Sequence, residues 1–334
     1  MPGTIIPSTF RPAWWLRSAH GQTIYPNVVR RVRPLEGVVW ETFTLSDGDF
    51  LELAWTGPEA GPIVVLLHGI GGSANSAYIR GLSARLARSG WRVCQFHFRG
   101  CGPRPNLRTT TYHSGMTADP LEVLHELARR YPDRPRFGVG FSMGGNVLLR
   151  LLGEQGVNAP LDGAVAVSVP MELRPCADKL NTGVSRGYQT VLLRRVRTRM
   201  MERKELLKDV VDLDAAMRAR SFWEFDAAFT APVHHFDSAL DYYERASSRP
   251  LLRAVQRPTL IVNSIDDPFM VPEILPQPEE LSPHVTLELS EKGGHVGFVA
   301  AGKGGTPVYW LEQRIPEWLD KARQSKLAGP DPVA

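Results

Sequence analysis

Gly140-Phe141-Ser142-Met143-Gly144-Gly145 carries the pattern G-x-S-x-G. That pattern holds a serine on a sharp turn between a strand and a helix, with its hydroxyl pushed into the open. The glycines supply clearance, because a side chain at 140 or 144 would collide with the neighbouring strand or helix. A serine hydroxyl is a weak nucleophile at neutral pH, so the chemistry needs a base to take its proton and an acid to orient that base. On an elbow of this kind the acid and then the histidine follow the serine in chain order.

Nine histidines compete for the role of base. His295, in Gly293-Gly294-His295-Val296-Gly297-Phe298, lies on a glycine-rich loop after the last expected strand and is the candidate. His68 precedes the serine, in His68-Gly69-Ile70-Gly71-Gly72, and its expected job is to shape that loop by hydrogen bonding. The acid is expected from the pair Asp266-Asp267, just after the apolar run Thr259 to Asn263. Asp267 is preferred because it opens the Asp-Pro turn; Asp266 stays open, and both could merely cap the turn. Acyl transfer also needs donors for a developing oxyanion. The backbone amide of Met143, after the serine, is one candidate, and that of Ile70 is the other. This chemistry calls for neither a metal nor an organic cofactor.

The elements that must position these residues alternate. Val38 to Leu45 and Phe50 to Trp55 flank Ser46-Asp47-Gly48-Asp49 and read as an antiparallel hairpin. The continuous apolar run Ile63 to Leu67 reads as a strand buried on both faces, Trp91 to Phe96 as the next buried strand, and Arg136 to Phe141 as a further strand. Helical patterns at Ala77 to Arg88, Thr117 to Arg130 and Gly144 to Gly153 separate or follow them. Gly163 to Val169, Thr259 to Asn263 and Val285 to Leu289 continue the sheet. The rhythm predicts an α/β fold: a mostly parallel central sheet with helices on both faces.

Residues 38–170 and 251–323 make up the expected core, and residues 171–250 a helical cap inserted into it. In the cap, Val191, Leu192, Leu193, Val196 and Met200 lie among Arg194, Arg195, Arg197 and Arg199 as one amphipathic helix. Its expected role is to cover the core or the site, with contact between its basic face and a lipid surface as the alternative. Residues 1–37 read as an aperiodic arm across the surface, and residues 324–334 as a frayed polar tail.

With 334 residues, 43% hydrophobic and 22% charged, the composition is that of a folded globular protein. A net charge of +4, from 39 Lys+Arg against 35 Asp+Glu, is too small to call for a nucleic-acid partner. Cys94, Cys101 and Cys176 fit neither a disulfide framework nor a zinc pattern, and are expected as reduced thiols. No secretory leader or membrane-spanning run is evident, so the expected location is cytoplasmic with no stable membrane anchor.

Beyond the elbow, the sequence resembles the YheT-type α/β-hydrolases, which are similar to several abhydrolase-domain proteins of animals and yeast. The resemblance covers most of the chain. It rests on Pro12-Ala13-Trp14-Trp15-Leu16, His20-Gly21-Gln22-Thr23, His68 to Ser73, Phe98-Arg99-Gly100-Cys101-Gly102, Tyr112-His113-Ser114-Gly115 and Gly140 to Asn146. It continues through Glu224-Phe225-Asp226, Phe229-Thr230-Ala231-Pro232, Asp241-Tyr242-Tyr243, Asp266-Asp267-Pro268-Phe269 and Gly293-Gly294-His295. It implies an α/β-hydrolase fold, a triad on Ser142, Asp267 and His295, and hydrolysis of small-molecule or lipid carboxylic esters. Animal and yeast relatives are associated with acyl transfer or phospholipase chemistry and often carry an N-terminal membrane anchor, which is not expected here. Acyl transfer, phospholipase action and a non-catalytic ligand-binding role are the alternatives.

Overall fold

The computed structural model describes residues 2–328. In chain order it opens with β1 (Thr4–Pro7), α1 (Ala19–Val28), β2 (Val39–Thr44), β3 (Phe50–Thr56) and β4 (Ile63–Leu67). α2 (Ala77–Arg88), β5 (Arg92–Phe96), α3 (Ala118–Arg130), β6 (Arg136–Phe141), α4 (Met143–Gln155) and β7 (Gly163–Val167) follow. The inserted helices are α5 (Leu173–Leu180), α6 (Ser185–Met201), α7 (Lys204–Leu207), α8 (Leu213–Arg218), α9 (Phe222–Phe225), α10 (Ala231–Val233) and α11 (Ala239–Ala246). The chain returns through β8 (Thr259–Ser264), β9 (Val285–Ser290), β10 (Val299–Ala301), β11 (Pro307–Tyr309) and α12 (Leu311–Ala328).

Nine strands form one sheet in the order β1-β9-β8-β7-β6-β4-β5-β3-β2 among the described residues. The pairs from β1 to β5 are parallel, whereas β3 runs antiparallel to both β5 and β2. Period-two alternation divides each central strand between two cores. In β4, Ile63, Val65 and Leu67 pack with α3 and α4, while Val64 and Leu66 face the core shared with α2 and α12. Both faces are therefore covered, which is why these strands are largely apolar; the buried Gln95 of β5 is met by Ser83 Oγ at 2.7 Å.

The N-terminal segment is more than a surface arm. Its residues 4–7 add a strand parallel to β9, pairing Thr4 with Thr286 and Pro7 with Leu289. The next residues are fixed singly: Ser8 Oγ donates to Glu288 Oε1 at 2.7 Å, and Phe10 packs edge-on to Phe298. A four-residue strand followed by isolated anchors leaves no periodic signal to read. Gln22, on α1, is wholly buried; its Nε2 donates to the Leu16 and Val299 carbonyls, and its Oε1 accepts from the Val299 amide at 2.6 Å.

The far terminus also departs from expectation. α12 continues to Ala328, through residues read as a frayed tail; residues 329–334 lie outside the described residues. Leu311, Ile315 and Leu319, four apart on one helical face, hold it in the core, and Lys326 farther along pairs with Asp162.

Gln22→Ala removes three hydrogen bonds, two of them buried, and leaves the Val299 amide without its acceptor, while the Val299 carbonyl keeps the Ala13 amide. The expected cost is about 3 kcal/mol, read as a lowered urea midpoint with unchanged slope. An unchanged midpoint would show that α1 does not stabilise the sheet.

Candidate active site

Ser142 follows β6 directly and caps α4 with φ 52° and ψ −121°, a conformation costly for a residue with a side chain. Its amide is anchored to the Val167 carbonyl at 2.8 Å. The turn closes this tightly because 140 and 144 are glycine. A Cβ on Gly140 would sit 2.4 Å from the Gly144 carbonyl oxygen, and one on Gly144 would sit 2.5 Å from that of His68. The His68–Gly72 loop at the end of β4 therefore lies against the elbow.

The structure brings Ser142, His295 and Asp267 together. His295 Nε2 is 2.9 Å from Ser142 Oγ, and its Nδ1 is 2.8 Å from Asp267 Oδ2. The Asp267 side chain is 1% exposed and that of His295 10%, so the chain of hydrogen bonds is largely shielded from water. Asp267 Oδ1 accepts from the Phe269 amide at 2.8 Å, which fixes the carboxylate plane. Asp266 turns elsewhere: its Oδ1 accepts from the Gly294 amide at 3.0 Å, tying the end of β8 to the histidine loop.

Sequence reasoning missed the residues that hold the histidine. Thr23 Oγ1 accepts from the His295 amide at 2.9 Å while donating to the Ala19 carbonyl, and Ser168 Oγ accepts from the Val296 amide at 3.0 Å. Phe269 lies flat against the imidazole, with centroids 3.9 Å apart and planes 8° apart. The ring of Tyr188 of α6 tilts against Phe269, and its Oη is 2.9 Å from His20 Nδ1, which links the inserted helices, the histidine and the N-terminal segment. The His20-Gly21-Gln22-Thr23 and Asp266-Asp267-Pro268-Phe269 segments were visible as motifs, but nothing in them states which loop they touch.

Ile70 and Met143 line the same cavity beside the elbow. In the loop after β4, the Gly69 amide donates to Tyr78 Oη at 2.9 Å, that of Gly71 to Tyr112 Oη at 3.0 Å, and that of Gly72 to the Gly69 carbonyl. The Ile70 amide, between them, has no acceptor among the described residues. Met143 begins α4, where first-turn amides have no intrahelical partner. Burial drives the His68 imidazole down to about 3, so it is neutral near pH 7. Its Nδ1 is 2.8 Å from the Gly69 carbonyl, and its Nε2 accepts from the Phe98 amide. Cys94, Cys101 and Cys176 are free and buried, and burial raises all three thiols.

A cavity beside the elbow is lined by Ile70, Met143 and Tyr112 from the core and by Val196, Met200 and Phe229 from the inserted helices. The face of α6 read as apolar is split: Leu193 and Met200 are buried, whereas Val191 is exposed. No helix among the described residues is long and apolar enough to cross a membrane.

This arrangement is that of a hydrolase, and comparison with known proteins gives its family. Residues 62–301 match the family model for the alpha/beta hydrolase fold. YheT, a proposed esterase of Escherichia coli (strain K12), is 38% identical over 326 residues, covering 95% of this chain and 94% of YheT. Human phospholipase ABHD3 is 29% identical over 309 residues, covering 88% of this chain and 75% of ABHD3. Among solved structures, the Pyrococcus furiosus esterase Pf2001 superposes with a TM-score of 0.57 at 19% identity, covering 89% of this chain and 97% of Pf2001. The chain belongs to the α/β-hydrolase fold family, within its YheT-type branch.

Gly144→Ala tests the close approach of elbow and loop. A methyl group at 2.5 Å from backbone must displace one of them, so the expected loss is about 2 kcal/mol of stability, measured by urea denaturation. Wild-type stability would show that the elbow has room to relax.

Proposed function

We propose that this protein hydrolyses carboxylic esters through a covalent acyl-enzyme on Ser142, with His295 as general base and Asp267 as the acid that orients it. The observation that carries the reading is the continuous hydrogen-bonded line Asp267 Oδ2 to His295 Nδ1, and His295 Nε2 to Ser142 Oγ, at 2.8 and 2.9 Å. Its kinship with proteins named as esterase and phospholipase supports the same chemistry.

Ser142 Oγ attacks the ester carbonyl as its proton passes to His295 Nε2, and the carbonyl oxygen takes up negative charge. The backbone amides of Ile70 and Met143 are proposed to donate to that oxygen, where preorganised dipoles are worth most. Collapse of the tetrahedral species breaks the bond to the alkoxy group, which leaves with the proton from His295. Water then attacks the acyl-enzyme, its proton passing to the same nitrogen, and the acid departs as Ser142 regains its hydrogen. Asp267, accepting from His295 Nδ1, stabilises the imidazolium that forms twice per cycle. Residues 1–37 contribute through Thr23, and the insertion at 171–250 is proposed as a cap over the acyl or alcohol arm.

The test is steady-state hydrolysis of a chain-length series of para-nitrophenyl esters. Ser142→Ala is expected to abolish turnover. Asp267→Asn is expected to lower kcat by about 10⁴, because the imidazole then takes the wrong tautomer. Asp266→Asn should lose only a small fraction of that, since Asp266 braces the Gly294 amide instead. Turnover that survives Ser142→Ala, or a larger loss at 266 than at 267, would sink the assignment.

A further inference from the structure

We infer that the cavity between the inserted helices and the elbow is a subsite for an anionic group on the substrate, a carboxylate or a phosphate, held by the guanidinium of Arg203. This deepens the ester-hydrolase reading above and rests on it: the ester would carry its charge on the arm that enters the cavity.

Arg203 follows α6 and is 4% exposed, yet lines the same cavity as Ile70 and Met143. Its Nη2 donates to the Thr110 carbonyl at 3.1 Å, and its buried Nε has no partner. No carboxylate lies within ion-pair distance of it among the described residues. Charge taken out of water without a counter-ion is destabilising, and an arriving anion offsets that cost. A guanidinium is also the side chain whose planar fork best matches a carboxylate or phosphate.

The other charged groups around this cavity are already committed. Arg99 is bidentate to Asp119 at 2.7 and 2.8 Å and reaches Asp47 at 2.6 Å, while Arg199 pairs with Glu202 at 3.0 Å. Asp226, in a π-helical turn, accepts from Thr230 Oγ1 at 2.5 Å and Tyr243 Oη at 2.7 Å. Asp49, which acts on Arg203 from a distance, accepts from the amides of Phe50, Leu107 and Arg108 and from Asn106. Among the described residues that line the cavity, Arg203 is the arginine that is both buried and without a carboxylate partner, whereas the side chain of Arg199 is 38% exposed. Thr111, His113, Ser114 and Tyr242 also line the cavity, and the rest of its wall is largely apolar, from Val196, Met200, Phe222, Phe225, Phe229 and Ile70. A chain of methylene groups ending in an anion complements such a wall.

Two matched comparisons test this on the full chain. On the acyl arm, para-nitrophenyl hexanoate is set against mono-para-nitrophenyl adipate, which adds a terminal carboxylate, with longer diacid monoesters alongside. On the alcohol arm, monoacylglycerol is set against the same acylglycerol bearing a phosphate. Wild type is expected to favour the charged member of one pair by at least about tenfold in kcat/KM, since a built polar site discriminates strongly against a substrate that leaves it unpaired. Whichever pair responds identifies the source of the anion. Arg203→Met is expected to bring that ratio to near one, and Arg203→Lys to retain part of it.

Equal or better turnover of the neutral member in both pairs by active wild type overturns the inference. So does a preference that persists in Arg203→Met. Loss of the preference in Arg203→Met with fluorophosphonate labelling retained supports it and excludes collapse of the fold. Wild type that turns over no ester and takes no label would instead remove the hydrolase reading, and the subsite with it.

Discussion

The backbone at Ser142 is the constraint on which the rest of this structure depends. A positive φ at a serine is unfavourable in isolation, so neighbouring elements must hold it there. They do so by contact on every side: β7 through the Val167 carbonyl, α4 through its first turn, and the loop after β4 through the His68 carbonyl. Each contact requires a missing side chain or a fixed amide. The order of the sheet follows from this requirement, because β6, which carries the elbow, lies between β4 and β7 in parallel register.

The partners of Ser142 come from two later crossovers, and they are braced from unexpected places. Asp267 leaves the end of β8, its carboxylate plane set by the Phe269 amide. The His295 loop contains positive φ values at Val296 and Phe298 as well as glycine, so it too is held in shape by outside contacts. Those contacts are Thr23 from α1, Ser168 from the end of β7 and the Ser264 hydroxyl on the Gly294 carbonyl. A loop that must place one nitrogen to within a few tenths of an ångström needs such support.

Much of this was legible in the sequence, for a physical reason. Strands buried on both faces need mostly apolar residues, so β4 announced itself as an unbroken run and β5 and β6 as shorter apolar stretches, and the glycines of the elbow reflect clearance that no other residue supplies. Asp266 and Asp267 were harder to separate. Both leave the same strand, and only the direction of the chain after Ser264 decides which meets the imidazole and which braces Gly294. The N-terminal segment was illegible because its contribution is made by single side chains: Ser8, Phe10, Gln22 and Thr23 each fill one distant requirement and form no period. Residues after Lys321 look polar as a string, yet Leu311, Ile315 and Leu319 had already fixed the helix they extend. Arg203, just past the arginine-rich helix α6, did not stand out in the sequence, and its isolation becomes visible only when the carboxylates around it are seen to be engaged.

The central claim is that the oxygen of Ser142 becomes covalently bonded during the reaction. It is tested most directly by treating the native protein with a fluorophosphonate and mapping the adduct by peptide mass spectrometry. The account predicts a single adduct on the peptide that contains Ser142, formed in step with loss of esterase activity and absent from Ser142→Ala. Activity that persists unlabelled, or an adduct on another residue, would contradict it.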